Sequence, residues 1–294
     1  MVSHLESGGV QEKRQVVEAL REQFTVKQLC EYLQLSRSGY YQYLKRQSED
    51  HDKELKERIQ AIYVKRQMKY GYRRIQGELE REGWKVNHKK VLRLMQVMGI
   101  RSIIRRKRKS KPQGDGLVPR VAENLLQRDF TAEVPDRKWV TDITQYAVGD
   151  TWLYLSAIKD LCTKEIVAYQ MSFRNDTKLV LETFKQAFIK KEDMTGLIVH
   201  SDQGCQYTSH AYHDMLPQVG AQISMSRRGN CFDNAAMESF FSHLKTEALY
   251  PYDIRNMDEA QRRIVEFIRF YNEERIQLKL KKLTPVEYRR QFTA

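Results

Sequence analysis

The sequence predicts a mixed α/β domain preceded by all-α helix-turn-helix units. Three observations support this. Apolar residues recur at helical spacing as far as about residue 100, and from Trp139 onward they alternate as in strands. The chain carries a net charge of +13, and all of the excess lies in residues 1–120, which hold 28 basic and 14 acidic side chains against 23 and 24 in residues 121–294. Beyond Trp139 the segments read strand-strand-strand-helix-strand-helix-strand-helix. The predicted domains are a helix-turn-helix unit at 1–48, a second three-helix unit with a basic end at 49–111, a linker at 112–134, a catalytic domain at 135–250 and a helical extension at 251–294.

Residues 11–46 read as three short helices. Val16, Val17 and Leu20 share one face of the first, and Thr25 with Gln28 forms a capping box for the second. Leu35-Ser36 turns the chain into RSGYYQYLKR. A helix-turn-helix of this kind reads the major groove with the first residues of its second helix, here Arg37, Ser38 and Tyr41. A three-helix bundle that does not bind DNA is the alternative. In the second unit Leu55, Ile59 and Ile62 mark an amphipathic helix, YGYRRIQGELEREG follows, and Asn87 caps a helix that carries Lys89, Lys90 and Arg93. The run RSIIRRKRKSK, with Arg105, Arg106, Lys107 and Arg108, is suited to phosphate contact. Pro112, Gly114, Gly116 and Pro119 mark the linker.

The next segment, KWVTDITQYAVG, alternates and meets Gly149-Asp150, a hairpin turn signal. TWLYLSAIKDL and KEIVAYQMS are the next strands. Thr177–Lys191 reads as a helix, GLIVHSD as a buried strand, Ser209–Leu216 as a helix, AQISMS as a strand, and Asn234–Leu249 as a helix. Cys30, Cys162, Cys205 and Cys231 form no C-x-x-C pair, which argues against a zinc ribbon or a disulfide scaffold. There is no signal pattern and no apolar run of spanning length. The expectation is a soluble, reduced, cytoplasmic protein that associates with the nucleoid through DNA, without a membrane partner.

Three carboxylates stand out. Asp142 lies inside an apolar strand, where an ionised group is costly unless paired or bound to metal. Asp202 follows a buried strand and precedes Gly204. Glu238 sits among Met237, Phe240, Phe241 and Leu244, which places it towards or beside the packed face. Two acids from strands and one from a helix suit Mg²⁺ or Mn²⁺, which prefer oxygen ligands. Taken as residues alone, they read equally as a turn cap, a helix cap and a surface ion pair.

WVTDIT, HSDQGCQYTS and GNCFDNAAMESFFSHLK, in this order, resemble the Asp-Asp-Glu (DDE) transposases of bacterial insertion sequences. More narrowly, they resemble the second-frame product of the group made from two overlapping reading frames. Asp202 and Glu238 are separated by 35 residues, the spacing of that group. Lys245 matches its basic residue on the catalytic helix. Tyr271, Asn272, Arg275, Thr284 and Pro285 match its tail motif, and LSRSGYY and YGYRRI match its helical part. The resemblance spans roughly residues 12–290. Gln277 stands where the group often has His, and the first-frame segment is expected to be absent.

The resemblance implies a catalytic domain similar to retroviral integrase and RNase H, with Asp142, Asp202 and Glu238 holding a pair of Mg²⁺ or Mn²⁺ ions. It implies hydrolysis that frees a 3′-hydroxyl, followed by direct strand transfer, with a circularised element as intermediate. The expected partners are double-stranded DNA (the element's terminal inverted repeats and the target), further copies of the chain on DNA, and the first-frame protein. His200, Ser201 and Gly204 are supporting residues, Lys245 is a phosphate contact, and Asn234 is either a helix cap or a DNA contact. The rival functions are a nuclease that cuts without joining and a DNA-binding regulator of transposition.

Overall fold

The computed structural model describes residues 9–48, 52–103, 120–127, 129–189, 193–226 and 234–292. The predicted phosphate contacts Arg105, Arg106, Lys107 and Arg108 lie outside the described residues, as do Cys231 and Asp233. The chain divides into two compact units, residues 1–61 and 62–294.

The first unit contains α1 (Val10–Leu20), α2 (Val26–Tyr32) and α3 (Arg37–Ser48), and α4 (Lys53–Lys65) runs across the boundary. Val17, Leu29, Cys30, Leu33 and Tyr40 form the core of the three-helix unit. The Tyr40 hydroxyl donates to Glu18 Oε2 at 2.7 Å, tying α3 to α1. The Thr25–Gln28 capping box is formed. Arg37, Ser38 and Tyr41 are exposed at the start of α3.

The second unit continues with α5 (Tyr72–Arg81) and α6 (His88–Val97). Asn87 caps α6 by accepting from the Lys89 N–H at 2.8 Å, and Lys89 and Lys90 are exposed in its first turn. A five-stranded sheet follows: β1 (Lys138–Val148), β2 (Thr151–Asp160), β3 (Ile166–Ser172), β4 (Ile198–Ser201) and β5 (Gln222–Met225), in the spatial order β3-β2-β1-β4-β5. The first three strands pair antiparallel, and β1-β4 and β4-β5 pair parallel, as in the RNase H-like fold. Gly149 turns the β1-β2 hairpin at φ +57°, a conformation that favours glycine.

Helices cover both faces of the sheet. One face packs Val140, Leu155 and Ala157 against α9 (Ala235–Leu244) and α10 (Met257–Glu273). The other packs Trp139, Ile158 and Val199 against α7 (Thr177–Phe188) and α8 (His210–Gln218). Because strand side chains alternate, Trp139 and Val140 enter opposite cores, and Asp142 falls on the α9 face with Val140. The chain closes with α11 (Pro285–Arg290), capped by Thr284 and Glu287.

The tail motif has a structural explanation. The Tyr271 ring meets Phe240 of α9 edge-on, with centroids 4.9 Å apart. The Asn272 amide pairs with both backbone groups of Ile166, accepting at 2.9 Å and donating at 3.0 Å, and so closes part of the edge of β3. Arg275, 1% exposed, forks onto both oxygens of the buried Glu247. Glu247 lies in the π-helical turn Lys245–Leu249 that extends α9. Among the described residues no helix is long and apolar enough to cross a membrane.

Candidate active site

Val140 of β1 pairs with His200 of β4 in parallel register. Two residues further along each chain come Asp142 and Asp202, so the register brings them to the same level on neighbouring strands, which lie about 4.8 Å apart. This is the carboxyl end of β4, where open α/β sheets place their sites.

Asp142 is half-buried, and its Oδ1 accepts from the Ile143 N–H at 2.7 Å. Burial, and then the negative charges of Asp202 and Glu238, push its pKa up to about 8, while the Ile143 N–H and Lys245 act in the opposite direction. Asp202 keeps contact with solvent, but enough protein surrounds it for burial to raise its pKa as well. Its Oδ1 accepts from the Gly204 N–H at 2.9 Å. A Cβ on Gly204 would stand 3.0 Å from that oxygen and 3.1 Å from Gln206 Oε1, so a side chain here would press on the Asp202 carboxylate.

Glu238 lies beside the packed face, one of its two expected placements, but it is open to water, where the expectation had it shielded. Met237, Phe240, Phe241 and Leu244 form the buried stripe of α9, while Glu238 stands beside it in the first turn and is exposed. Lys245, half-buried, follows about two turns later and acts on the Asp142 carboxyl. Asp142, Asp202, Glu238 and Lys245 thus come together in one electrostatic neighbourhood. Among the described residues no three acids, histidines or cysteines stand close enough to hold a metal ion. The donor set nonetheless suits a divalent cation: oxygen ligands only, like charges that repel, and one carboxyl that burial leaves reluctant to ionise.

Asn234 departs from both of its expected roles, while His200 and Ser201 are buried and hydrogen-bonded beside Asp202. Asn234 is 6% exposed, so its side chain is not at a DNA-facing surface, and it makes no side-chain cap. Its Nδ2 donates instead to the Thr141 carbonyl at 3.2 Å, fastening the start of the Glu238 helix to the strand position before Asp142. His200 is fully buried, with Nδ1 2.8 Å from Ser224 Oγ, which also accepts from the Leu125 and Leu126 N–H groups. It therefore ties β4 to β5 and to the incoming chain. Ser201 is buried, and its hydroxyl donates to the Asp202 carbonyl. Thr141 and Tyr207, which share a hydrogen bond at 3.2 Å beneath Asp142, carry no sequence signal of this role. Glu247 is equally silent, and only its pairing with Arg275 gives it one.

Comparison with known proteins gives consistent findings. Residues 132–231 and 238–292 each match a family model described as an integrase core domain, and residues 50–108 match an HTH-like domain. The chain is 42% identical over 277 residues to the putative transposase InsK for insertion sequence element IS150 of Escherichia coli K12, covering 94% of this chain and 97% of that protein. It is 46% identical over 211 residues to a transposase-like protein of Haemophilus influenzae, covering 72% and 96%. Among solved structures, the HTLV-2 integrase catalytic core domain in complex with magnesium matches at TM-score 0.43 and 15% identity, covering 53% of this chain and 97% of its own.

Proposed function

The chain belongs to the transposases of bacterial insertion sequences, with an integrase catalytic core, and on that premise we propose that Asp142, Asp202 and Glu238 form its metal-dependent site for DNA strand cleavage and strand transfer. As a member of that family it is a polynucleotidyl transferase. The observation that supports this site best is the strand register that brings Asp142 and Asp202 to one level, with Glu238 near enough to act on the Asp142 carboxyl, whose pKa is raised to about 8 first by burial and then by the charges of Asp202 and Glu238.

The three carboxylates would hold Mg²⁺ or Mn²⁺, which when bound activates the attacking oxygen and neutralises charge on the phosphate. Asp142 and Asp202 are held by backbone N–H groups, so their direction is set before substrate arrives. Glu238 is exposed and approaches from a different element. Lys245 supplies a cation beside the acids, suited to a substrate phosphate. Arg37, Ser38 and Tyr41, with Lys89 and Lys90, are exposed positions suited to duplex DNA in their own units. Action on element ends and on target DNA, by several copies of the chain, completes the reading.

The test is strand cleavage and joining on labelled element ends with Mg²⁺ or Mn²⁺, comparing wild type with Glu238→Gln. The expected result is cleavage and joined strands from wild type, and bound but unchanged DNA with the variant. Equal activity of the variant would remove Glu238 from the site. Cleavage without joining would favour a nuclease.

A further inference from the structure

Beside the acidic site lies a cavity of about 200 Å³ whose chemistry the proposed reaction does not use. Lys69, Gly71 and Arg74 line one side, and Ser242 and Thr246 from the catalytic helix and its π-helical turn line another, with Ser102 adding a hydroxyl. Ser242 stands four residues after Glu238 on α9, so the cavity begins about one turn, or ~6 Å, along the helix from Glu238.

The charges in the cavity do not balance. Lys69 Nζ donates to the neutral Gln67 Oε1 at 2.8 Å and lies 5.2 Å from the centroid of the Phe270 ring. The Arg74 guanidinium lies over the Tyr70 ring at 5.8 Å, and its Nε is buried without a hydrogen-bond partner. Among the described residues neither cation pairs with a carboxylate. The acid that lines the cavity, Glu247, has both oxygens engaged by Arg275. Arg66 nearby shows the ordinary solution, with Glu78 and Glu274 each 3.0 Å away. Burial lowers the pKa of Lys69 and takes Arg74 down to about 10; Arg275 repels both, and the charge of Glu247, though held by Arg275, offsets part of the effect on each. The ten-residue helix α5 also begins at this cavity, its N-cap Gly71 giving no side-chain cap, so its N-terminal dipole adds to the positive field.

We infer that this cavity is a phosphate subsite, in which Lys69, Arg74 and the start of α5, with the Ser242 and Thr246 hydroxyls, hold a backbone phosphate of the DNA strand next to the one being cut. The inference rests on the reading that the chain acts on DNA. The cavity thereby joins the YGYRR turn of the helical module to the helix that carries Glu238.

The test measures duplex DNA binding by the full chain in EDTA, by fluorescence anisotropy across a salt series. It compares wild type, Lys69→Gln, Arg74→Gln and the remote control Lys185→Gln on α7. Losing one phosphate contact should reduce the slope of log affinity against log salt by about 0.9. The expected result is that reduction in both cavity variants and none in the control. Melting temperatures should be unchanged or higher in the cavity variants, because an uncompensated charge has been removed. Cavity variants with the control's slope would overturn the proposal, as would a melting temperature that falls along with binding. In a parallel arm, inorganic phosphate replaces chloride at equal ionic strength. If it protects wild type against heat while the DNA slopes of wild type and variants coincide, the cavity takes free phosphate and the DNA assignment fails. Because no metal is present, these results are independent of the acidic site. A catalytically dead Glu238→Gln protein that keeps the wild-type slope separates the failure of one reading from that of the other.

Discussion

Removing Arg275 alone tests whether the tail holds the catalytic helix in place. Its guanidinium is 1% exposed and grips both oxygens of Glu247, whose side chain is 7% exposed, across 28 residues of chain. Arg275→Met would leave the Glu247 carboxylate buried beside a thioether. Breaking a buried pair from one side costs about 3–5 kcal/mol, because the remaining charge loses its hydrogen-bonded partner, and Lys69 and Arg74 in the same cavity put the expectation at the lower end. For a unit of this size each kcal/mol moves the melting temperature by about 2–4 °C, so the loss should be roughly 6–20 °C. Adding Glu247→Leu to Arg275→Met should restore most of it, since replacing both charges with apolar groups is often nearly neutral. The assay is thermal unfolding followed by circular dichroism, with strand-joining activity measured below the transition. A single variant within about 1 kcal/mol of wild type would show that Arg275 does not hold the catalytic helix in place. So would a double variant no more stable than the single one.

Two further outcomes follow from the acidic site. Asp142 has a folded pKa raised from 3.8 to about 8, so between these values the folded state holds the proton more tightly than the unfolded state does. Metal-free stability should therefore decline as pH rises through that window, and Asp142→Asn should flatten the decline. Melting scans from pH 5 to 9 in EDTA check this, and identical profiles would contradict it. Gly204→Ala places a methyl group 3.0 Å from Asp202 Oδ1 and should lower strand cleavage on the order of tenfold to a hundredfold with little change in melting temperature. Single-turnover cleavage measures it, and wild-type rates would show that the loop can give way.

Much of the fold was legible because local rules agreed with one another. Alternation around Trp139 assigned β1 and put Asp142 on a definite face, and Gly149-Asp150 marked the hairpin. Thr25, Asn87 and Thr284 announced or completed helix starts. The candidate acids were legible for a different reason, since an Asp inside an apolar strand needs an explanation. What escaped depended on contacts between distant segments. Sequence neighbours placed Glu238 near the packed stripe, yet which flank of a helix faces solvent is decided by how the helix docks. Asn234 looks like a cap or a DNA contact until the Thr141 carbonyl is found beside it. Glu247 carries no sequence signal, and only the π-helical turn brings it inward to Arg275. The cavity at Lys69 and Arg74 joins residues more than 160 positions apart in the chain, and no local pattern encodes it.

As proposed, Asp142, Asp202 and Glu238, on separate elements, form one divalent-cation site. Calorimetric titration of Mn²⁺ into wild type, Asp142→Asn, Asp202→Asn and Glu238→Gln at pH 8 tests it most directly. The expected result is saturable binding to wild type with proton release, loss of that binding in both Asp variants, and weaker binding in Glu238→Gln. Equal Mn²⁺ binding by all four proteins would contradict it.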